Sequence, residues 1–224
     1  MPPVEYNVAV FPLPDLVFFP ATLLPLHIFE PRYRQMTADA LAGDGKILVA
    51  QLRPGWERDY AGRPPTYETG CVGRILEHRE LEDGRYNLLL LGTQRVRIQA
   101  FLDQEDRLYR IARVAPAPER DPSDPAAASA LAVRLNKVLQ AWCGEQRQTN
   151  FYAQFLAPTL GYGALVNLAA LLLPLESAER QKLLELDDLE QRGRQVLKAA
   201  ETHLSSAMFF KPFRHLLPED PRVN

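Results

Sequence analysis

The side chains that could do chemistry are few and scattered along the 224 residues. Of the four histidines, His27, His78, His203 and His215, only His78 has a directly adjacent carboxylate, Glu77, with Glu80 two residues on. On a strand Glu80 would share its face and Glu77 would point away, the arrangement of an ordinary solvated surface pair. Glu30 has the chemistry of a general base. It stands directly before Pro31, however, where a carboxylate suits the positive end of a helix and Arg32 or Arg34 could pair with it. The two cysteines, Cys71 and Cys143, are too few and too far apart for a disulfide framework or a zinc site. They read as buried free thiols in a reducing cytosol. The pair Gly45-Lys46 lacks the flanking residues of a phosphate-binding loop. No G-x-G-x-x-G, G-x-S-x-G, H-E-x-x-H or C-x-x-C occurs. Only an active site assembled from distant residues is left open. The expectation is a chain with no catalytic residue, no metal site and no cofactor.

Residues suited to binding are easier to find. The stretch Arg53–Tyr67, RPGWERDYAGRPPTY, sets Trp56, Tyr60 and Tyr67 among arginines and prolines. Large aromatics beside arginine are typical interface anchors. Such a loop either meets a partner or folds onto its own sheet with Trp56 as a plug. Near the C-terminus, Phe209, Phe210 and Phe213 form a second apolar group. It either packs back on its own domain or docks on a partner or second copy.

The elements that must position these residues fall into two halves. Apolar residues make up 46% and charged residues 24%, as in an ordinary globular protein of one large or two small domains. The net charge of -2 argues against a binder of nucleic acid phosphates. No segment reads as a secretory signal or a membrane span, so a cytoplasmic location is expected.

Pro12, Pro14, Pro20 and Pro25 forbid a long helix and favour short strands at Val8–Phe11, Val17–Phe19 and Leu23–Ile28. From Pro31 to Gly43, Tyr33, Met36, Ala40 and Leu41 share one helical face. Further strands are predicted at Lys46–Leu52, Cys71–Leu81, Arg85–Gln94, Val96–Phe101 and Leu108–Val114. Gly84 would turn the hairpin between the second and third of these. Short strands with one helix point to a small mixed barrel or curled sheet.

Residues 1–115 form this part, and 116–125, rich in proline, read as a linker. Residues 126–224 switch to helical periodicity, giving an α+β fold class overall. Asp124 caps a helix with the stripe Leu131, Leu135, Val138 and Trp142. Leu165, Leu168 and Leu172 mark a second helix, and Ser177 would cap a third. Asp187 with Glu190 would form a capping box for the last.

Three motifs in order resemble the LON domain, the N-terminal substrate-recognition domain of Lon proteases. The entry VFPLPDLVFFPATLLPLHIFEPRYRQM is similar, and its form from His27 to Arg34 is closest to free-standing bacterial members and to LON domains of certain RING-finger proteins. ETGCVGRILEHRELEDGRYNLLLLGTQRVRI, Glu68–Ile98, and LAALLLPLESAERQKLLELDDLEQRGRQVL continue the likeness. The resemblance implies a PUA-like β-barrel followed by an α-helical bundle. It also implies binding of unfolded or degron-like protein segments, with a separate protease as a possible co-worker. The ATPase and Ser–Lys protease domains that follow in Lon are not among these residues, so a non-catalytic adaptor or weak chaperone is expected.

Two other readings stay open. The PUA-like fold elsewhere binds RNA, and Arg85, Arg95, Arg97, Arg107, Arg110 and Arg113 crowd one stretch, though Asp103, Glu105 and Asp106 lie among them. A small ligand could also sit in a cleft between the halves.

Overall fold

The computed structural model describes residues 4–60, 62–102, 106–145 and 160–210. The first half contains β1 (Tyr6–Leu13), β2 (Leu23–Ile28), α1 (Pro31–Ala42), β3 (Lys46–Gln51), β4 (Thr69–Glu80), β5 (Tyr86–Leu102) and β6 (Arg110–Pro116). The second contains α2 (Pro125–Glu145), α3 (Tyr162–Leu172), α4 (Ser177–Glu185) and α5 (Leu189–Phe210). The class is α+β: among the described residues, one mixed sheet and five α-helices. Among the described residues, no helix is long and apolar enough to cross a membrane.

The strands run in the order β2-β5-β4-β3-β1-β6, and β5 also pairs with β6. The ladder through β4, β3, β1 and β6 therefore returns to β5. All pairings are antiparallel except β1 with β3. Val8 and Val10, Leu48 and Ala50, and Ala112 and Val114 alternate along their strands and meet Val72 and Val96 in one buried cluster. A second cluster packs Tyr33, Met36 and Ala40 of α1 over Phe11, Phe18, Ile47 and Leu90.

Two predicted elements differ. Arg85–Gln94 and Val96–Phe101 belong to one strand of 17 residues, β5. Register shifts at Val72/Gly73 and Ile75/Glu77 against β4, and at Ile98/Ala100 against β6, let the long β5 bend without breaking. Val17–Phe19 is no strand, because Pro14 and Pro20 bracket it and it has no ladder partner. Its three side chains are nonetheless buried. Phe18 joins the α1 cluster, while Val17 and Phe19 enter the core of the helices. The segment lies on Gly92, whose N–H donates to Thr22 O (2.9 Å) and whose carbonyl accepts from Ala21 N (2.8 Å). A Cβ at Gly92 would lie 2.1 Å from Phe19 O, so no larger residue fits beneath it.

In the helical half, Asp124 accepts from Ala126 N (2.9 Å) and Ala127 N (3.2 Å), capping α2. The stripe Leu131, Leu135, Val138 and Trp142 packs with Leu165, Val196 and Ala200. Two caps shift by one residue. Glu176, not Ser177, holds the cap position of α4, with its N–H donating to Glu179 (3.3 Å). At α5 the cap is Asp188, which accepts from Gln191 N (2.9 Å). Asp187 is taken elsewhere: its carboxylate faces Arg95 at 2.5 Å.

That contact belongs to a buried network joining the halves. The Arg95 side chain is 1% exposed. It donates to the carbonyls of Leu184 and Leu186 (both 2.6 Å) and of Ala117 (3.3 Å). Fully buried Arg192 donates to Glu119, to Asn167 Oδ1 (2.6 Å) and to Leu186 O (2.5 Å). Asn167 in turn donates to Pro20 O (3.2 Å), and Gln181 to Thr69 O (3.1 Å). The proline-rich residues 116–125, predicted as a linker, are partly held by the same network. Pro116 lies in β6, Ala117 N donates to Arg95 O (3.0 Å), and Arg120 pairs with Asp188 in a parallel bridge.

A buried guanidinium is tolerated only when its donors and charge are matched, and removing one partner strands the rest. Arg95→Met should therefore lower unfolding stability by about 3 kcal/mol, read from urea denaturation. A loss below about 1 kcal/mol would mean the network contributes little. The hydrogen bond from Arg95 holds the Asp187 carboxyl below its ordinary value of 3.8. A depressed carboxylate contributes stability above its unfolded-state pKa, and that contribution disappears as pH falls through the folded value. The stability gap between wild type and Asp187→Asn should accordingly be full at neutral pH and close below the ordinary carboxylate range. A gap that persists unchanged in acid would rule this out.

Candidate functional site

The loop after β3 is an excursion with a closed stem. Arg53 N donates to Pro65 O (2.8 Å), Tyr67 N donates to Gln51 O (2.9 Å), and Leu52 bridges Thr66. At its top a single 3-10 turn, Trp56–Asp59, follows Gly55. Trp56 is half-buried and meets Tyr60 edge-on at 5.4 Å. Tyr67, also half-buried, lies under the Arg53 guanidinium at 5.2 Å.

The loop is tied to the start of α1. Glu30 occupies the cap position by its backbone, and its carbonyl accepts from Tyr33 N (3.0 Å) and Arg34 N (2.9 Å). Its side chain does not cap the helix. The carboxylate instead accepts from Arg32 Nε (3.0 Å) and from the Tyr60 hydroxyl (2.7 Å). Pro31 opens α1 as its first residue. Arg32 lies over the rings of Tyr33 (4.7 Å) and Tyr60 (5.0 Å). Burial, then the hydrogen bond to Glu30, raises the Tyr60 hydroxyl pKa. The sequence put Glu30 beside Arg32 and marked Tyr60 as a loop aromatic, but nothing in it joined Tyr60 to Glu30, thirty residues away.

Beside this cluster is a cavity of about 200 Å³. Pro12 and Leu108 supply apolar walls, β1 passes beneath at Val10, and Tyr33 and Tyr109 line it as well. Arg32, Arg63 and Arg110 bring three guanidiniums from α1, the loop and β6. Arg110 donates to Pro64 O (2.7 Å) and lies over Phe101 at 5.4 Å. Burial first, with Arg63 and Arg32 adding to it, pushes the Arg110 guanidinium below its ordinary value. Burial pushes Tyr33 up to about 12; burial and a hydrogen bond to Asp39 do the same for Tyr109. Around the rim, Leu108 is 65% exposed, Phe101 43% and Tyr60 39%. Phe101, Leu108 and the cavity were not singled out in the sequence, because they converge only in space.

The other predicted residues lie elsewhere. Gly84, at φ 76°, turns the β4–β5 hairpin, with its N–H donating to Leu81 O (2.8 Å). Phe209 and Phe210 end α5, with side chains outside the described residues, and Phe213 lies wholly outside them. His78 is exposed on β4, and Cys71 is buried. Among the described residues, no three His, Cys, Asp or Glu side chains are grouped to hold a metal ion.

The run of arginines in sequence is divided among separate partners in space. Arg85 pairs with Asp83 (2.6 Å), Arg107 with Asp39 (2.5 Å) and Arg113 with Glu5 (3.5 Å), while Arg95 is buried. At the junction of the halves a wider hollow of about 440 Å³ includes Arg97, Arg120 and Asp187, the last already engaged by Arg95.

Comparison with known proteins places this geometry. Lon protease of Brucella abortus is 26% identical over 214 residues, covering 92% of this chain and 25% of that protein. Lon protease 2 of Syntrophobacter fumaroxidans is 28% identical over 80% of the chain and 22% of that protein. The chain thus spans about a quarter of the length of the curated relatives it matches. The N-terminal domain of Mycobacterium avium complex Lon protease superposes with a TM-score of 0.69 at 20% identity, covering 88% of this chain and 100% of that one. A Lon N-terminal domain protein from Xanthomonas campestris gives 0.62 at 25% identity, covering 86% and 98%. Residues 7–201 match the family model of the ATP-dependent protease La (LON) substrate-binding domain, and the chain belongs to that family.

Proposed function

We propose that this chain is a non-catalytic protein-binding module. It recognises apolar or aromatic stretches of unfolded or degron-bearing proteins, as an adaptor or weak chaperone working with a separate protease. The observation that carries this reading is the rim of the arginine cavity, where Tyr60, Phe101 and Leu108 are exposed beside half-buried Trp56. Aromatic and arginine side chains together supply most binding energy at protein interfaces. Membership in a substrate-binding family supports the same direction. The ladder that returns to β5 supports a PUA-like barrel for residues 1–115, with 126–224 as a helical bundle docked on it. The internal pairing of Arg85, Arg107 and Arg113 speaks against RNA, which needs guanidiniums facing outward together.

The test is fluorescence anisotropy of a labelled unfolded protein titrated with this chain at low and moderate salt. Saturable binding should survive moderate salt, because apolar contact is not screened. Trp56→Ala and Tyr60→Ala should each weaken it about tenfold, as interface anchors do. Absence of binding into the high micromolar range would overturn the reading. Glu30→Ala removes the carboxylate that holds Tyr60 and Arg32. It should weaken binding about threefold or more while changing unfolding stability by less than about 1 kcal/mol. Unchanged affinity in Glu30→Ala would mean that the shape of the loop does not matter for binding.

A further inference from the structure

The hollow where the two halves meet is assembled from three separate stretches of chain. β5 brings Arg97 and Gln99, the end of β6 and the segment after it bring Pro116, Pro118 and Arg120, and Asp187 comes from the approach to α5. Its backbone frame is fixed on every side. Arg97 is held in the ladder opposite Ala115, while Arg120 N donates to Asp187 O (2.8 Å) and Arg120 O accepts from Leu189 N (3.1 Å). The volume of about 440 Å³ falls within the 300–1,000 Å³ or so typical of small-molecule sites.

Arg97 and Arg120 are both exposed, and among the described residues neither side chain makes a hydrogen bond or comes within ion-pair distance of a carboxylate. The nearby acidic groups are already engaged. Asp187 accepts from Arg95 at 2.5 Å, Glu119 is held by buried Arg192, and Asp188 caps α5. Arg97 and Arg120 do act together on one spot, since after Arg95 both help to lower the Asp187 carboxyl pKa. Two guanidinium forks carried by different segments thus border one hollow with their donors unused. A phosphate monoester offers about two negative charges and three strong acceptor oxygens at neutral pH, enough to meet two forks at once. A carboxylate has one charge and two oxygens, which a single fork satisfies. Pro116 and Pro118 add a stiff apolar wall beside the charges.

We propose that this hollow binds a phosphate monoester, with the phosphoryl oxygens between Arg97 and Arg120 and the organic body against Pro116 and Pro118. The site is separate from the loop face, so its failure would leave the client-binding reading standing. A ligand here touches β5 and the approach to α5 together, and binding only the folded chain raises the unfolding midpoint.

The experiment is calorimetric titration of the whole chain, at constant ionic strength, with phenyl phosphate and with benzoate, which share a ring and differ in the anion. Phenyl phosphate should bind at least about tenfold more tightly, the worth of one further charge-assisted hydrogen bond. Arg97→Gln and Arg120→Gln should each weaken it about tenfold or more. Neither side chain is bonded within the fold, so both variants should unfold at the wild-type midpoint in the absence of ligand. Binding should also weaken as pH falls through the second phosphate pKa, about 6. Equal binding of the two probes would overturn the proposal, as would phenyl phosphate binding that survives both substitutions. A phosphoserine peptide separates the two sources of the group. Tighter binding than phenyl phosphate assigns a phosphorylated protein, and binding no tighter assigns a small phosphorylated metabolite.

Discussion

Arg95 and Arg192 lie where the sheet meets the helices, and acceptors from both halves gather around them, leaving only Nε of Arg192 without a partner among the described residues. A guanidinium has donors on every side and cannot shed its charge, so each buried one demands several acceptors at fixed positions. For Arg95 those acceptors are the carbonyls of Ala117, Leu184 and Leu186 and the carboxylate of Asp187. For Arg192 they are Glu119, Asn167 and Leu186. The ends of α4, the start of α5 and the strand leaving β6 are thus fixed relative to β5 by directional contacts. The apolar core formed by Val17, Phe19 and the helices supplies area, and the arginines supply register.

The face around the loop follows a milder version of the same logic. Glu30 is a single carboxylate shared by Arg32 and Tyr60, and it couples the first turn of α1 to a loop about thirty residues on. This holds Tyr60 in place while leaving much of its ring open to solvent. Arg110 is held in the same way, by Pro64 O on one side and the ring of Phe101 below. The aromatic and basic groups of this face are fixed before any partner arrives, which lowers the ordering cost of an association.

What could be read from the sequence depended on how local the cause was. Pro31, Gly84 and Asp124 act within one turn of chain, and each takes the place its type dictates. Asp187 and Asp188 are equally good caps by sequence. Asp188 takes the role because Arg95, 92 residues away in sequence, claims its neighbour. Val17–Phe19 alternates like a strand because its side chains do divide between two cores. Its backbone finds no ladder because prolines bracket it. The arginines of β5 and β6 looked like one basic stretch, yet Arg95 turned inward while Arg110 joined Arg32 and Arg63 around the cavity. Family resemblance reached further than local rules. Three spaced motifs carry information about long-range packing that no single window contains.

The burial of the Val17–Phe19 segment has a consequence for the chain as it is made. Phe19 belongs to a core whose helical residues begin at Leu131, and Pro20 is held by Asn167, which is 147 residues downstream. While the sheet strands emerge from the ribosome, the apolar side of this segment has nothing to cover it, and Arg95 has no acceptors from α4. The first half therefore passes through a period in which it displays the kind of surface that general chaperones bind. Its own maturation is set by the arrival of the helices, so the time to a finished fold follows the speed of translation of the second half more than the pairing of the strands.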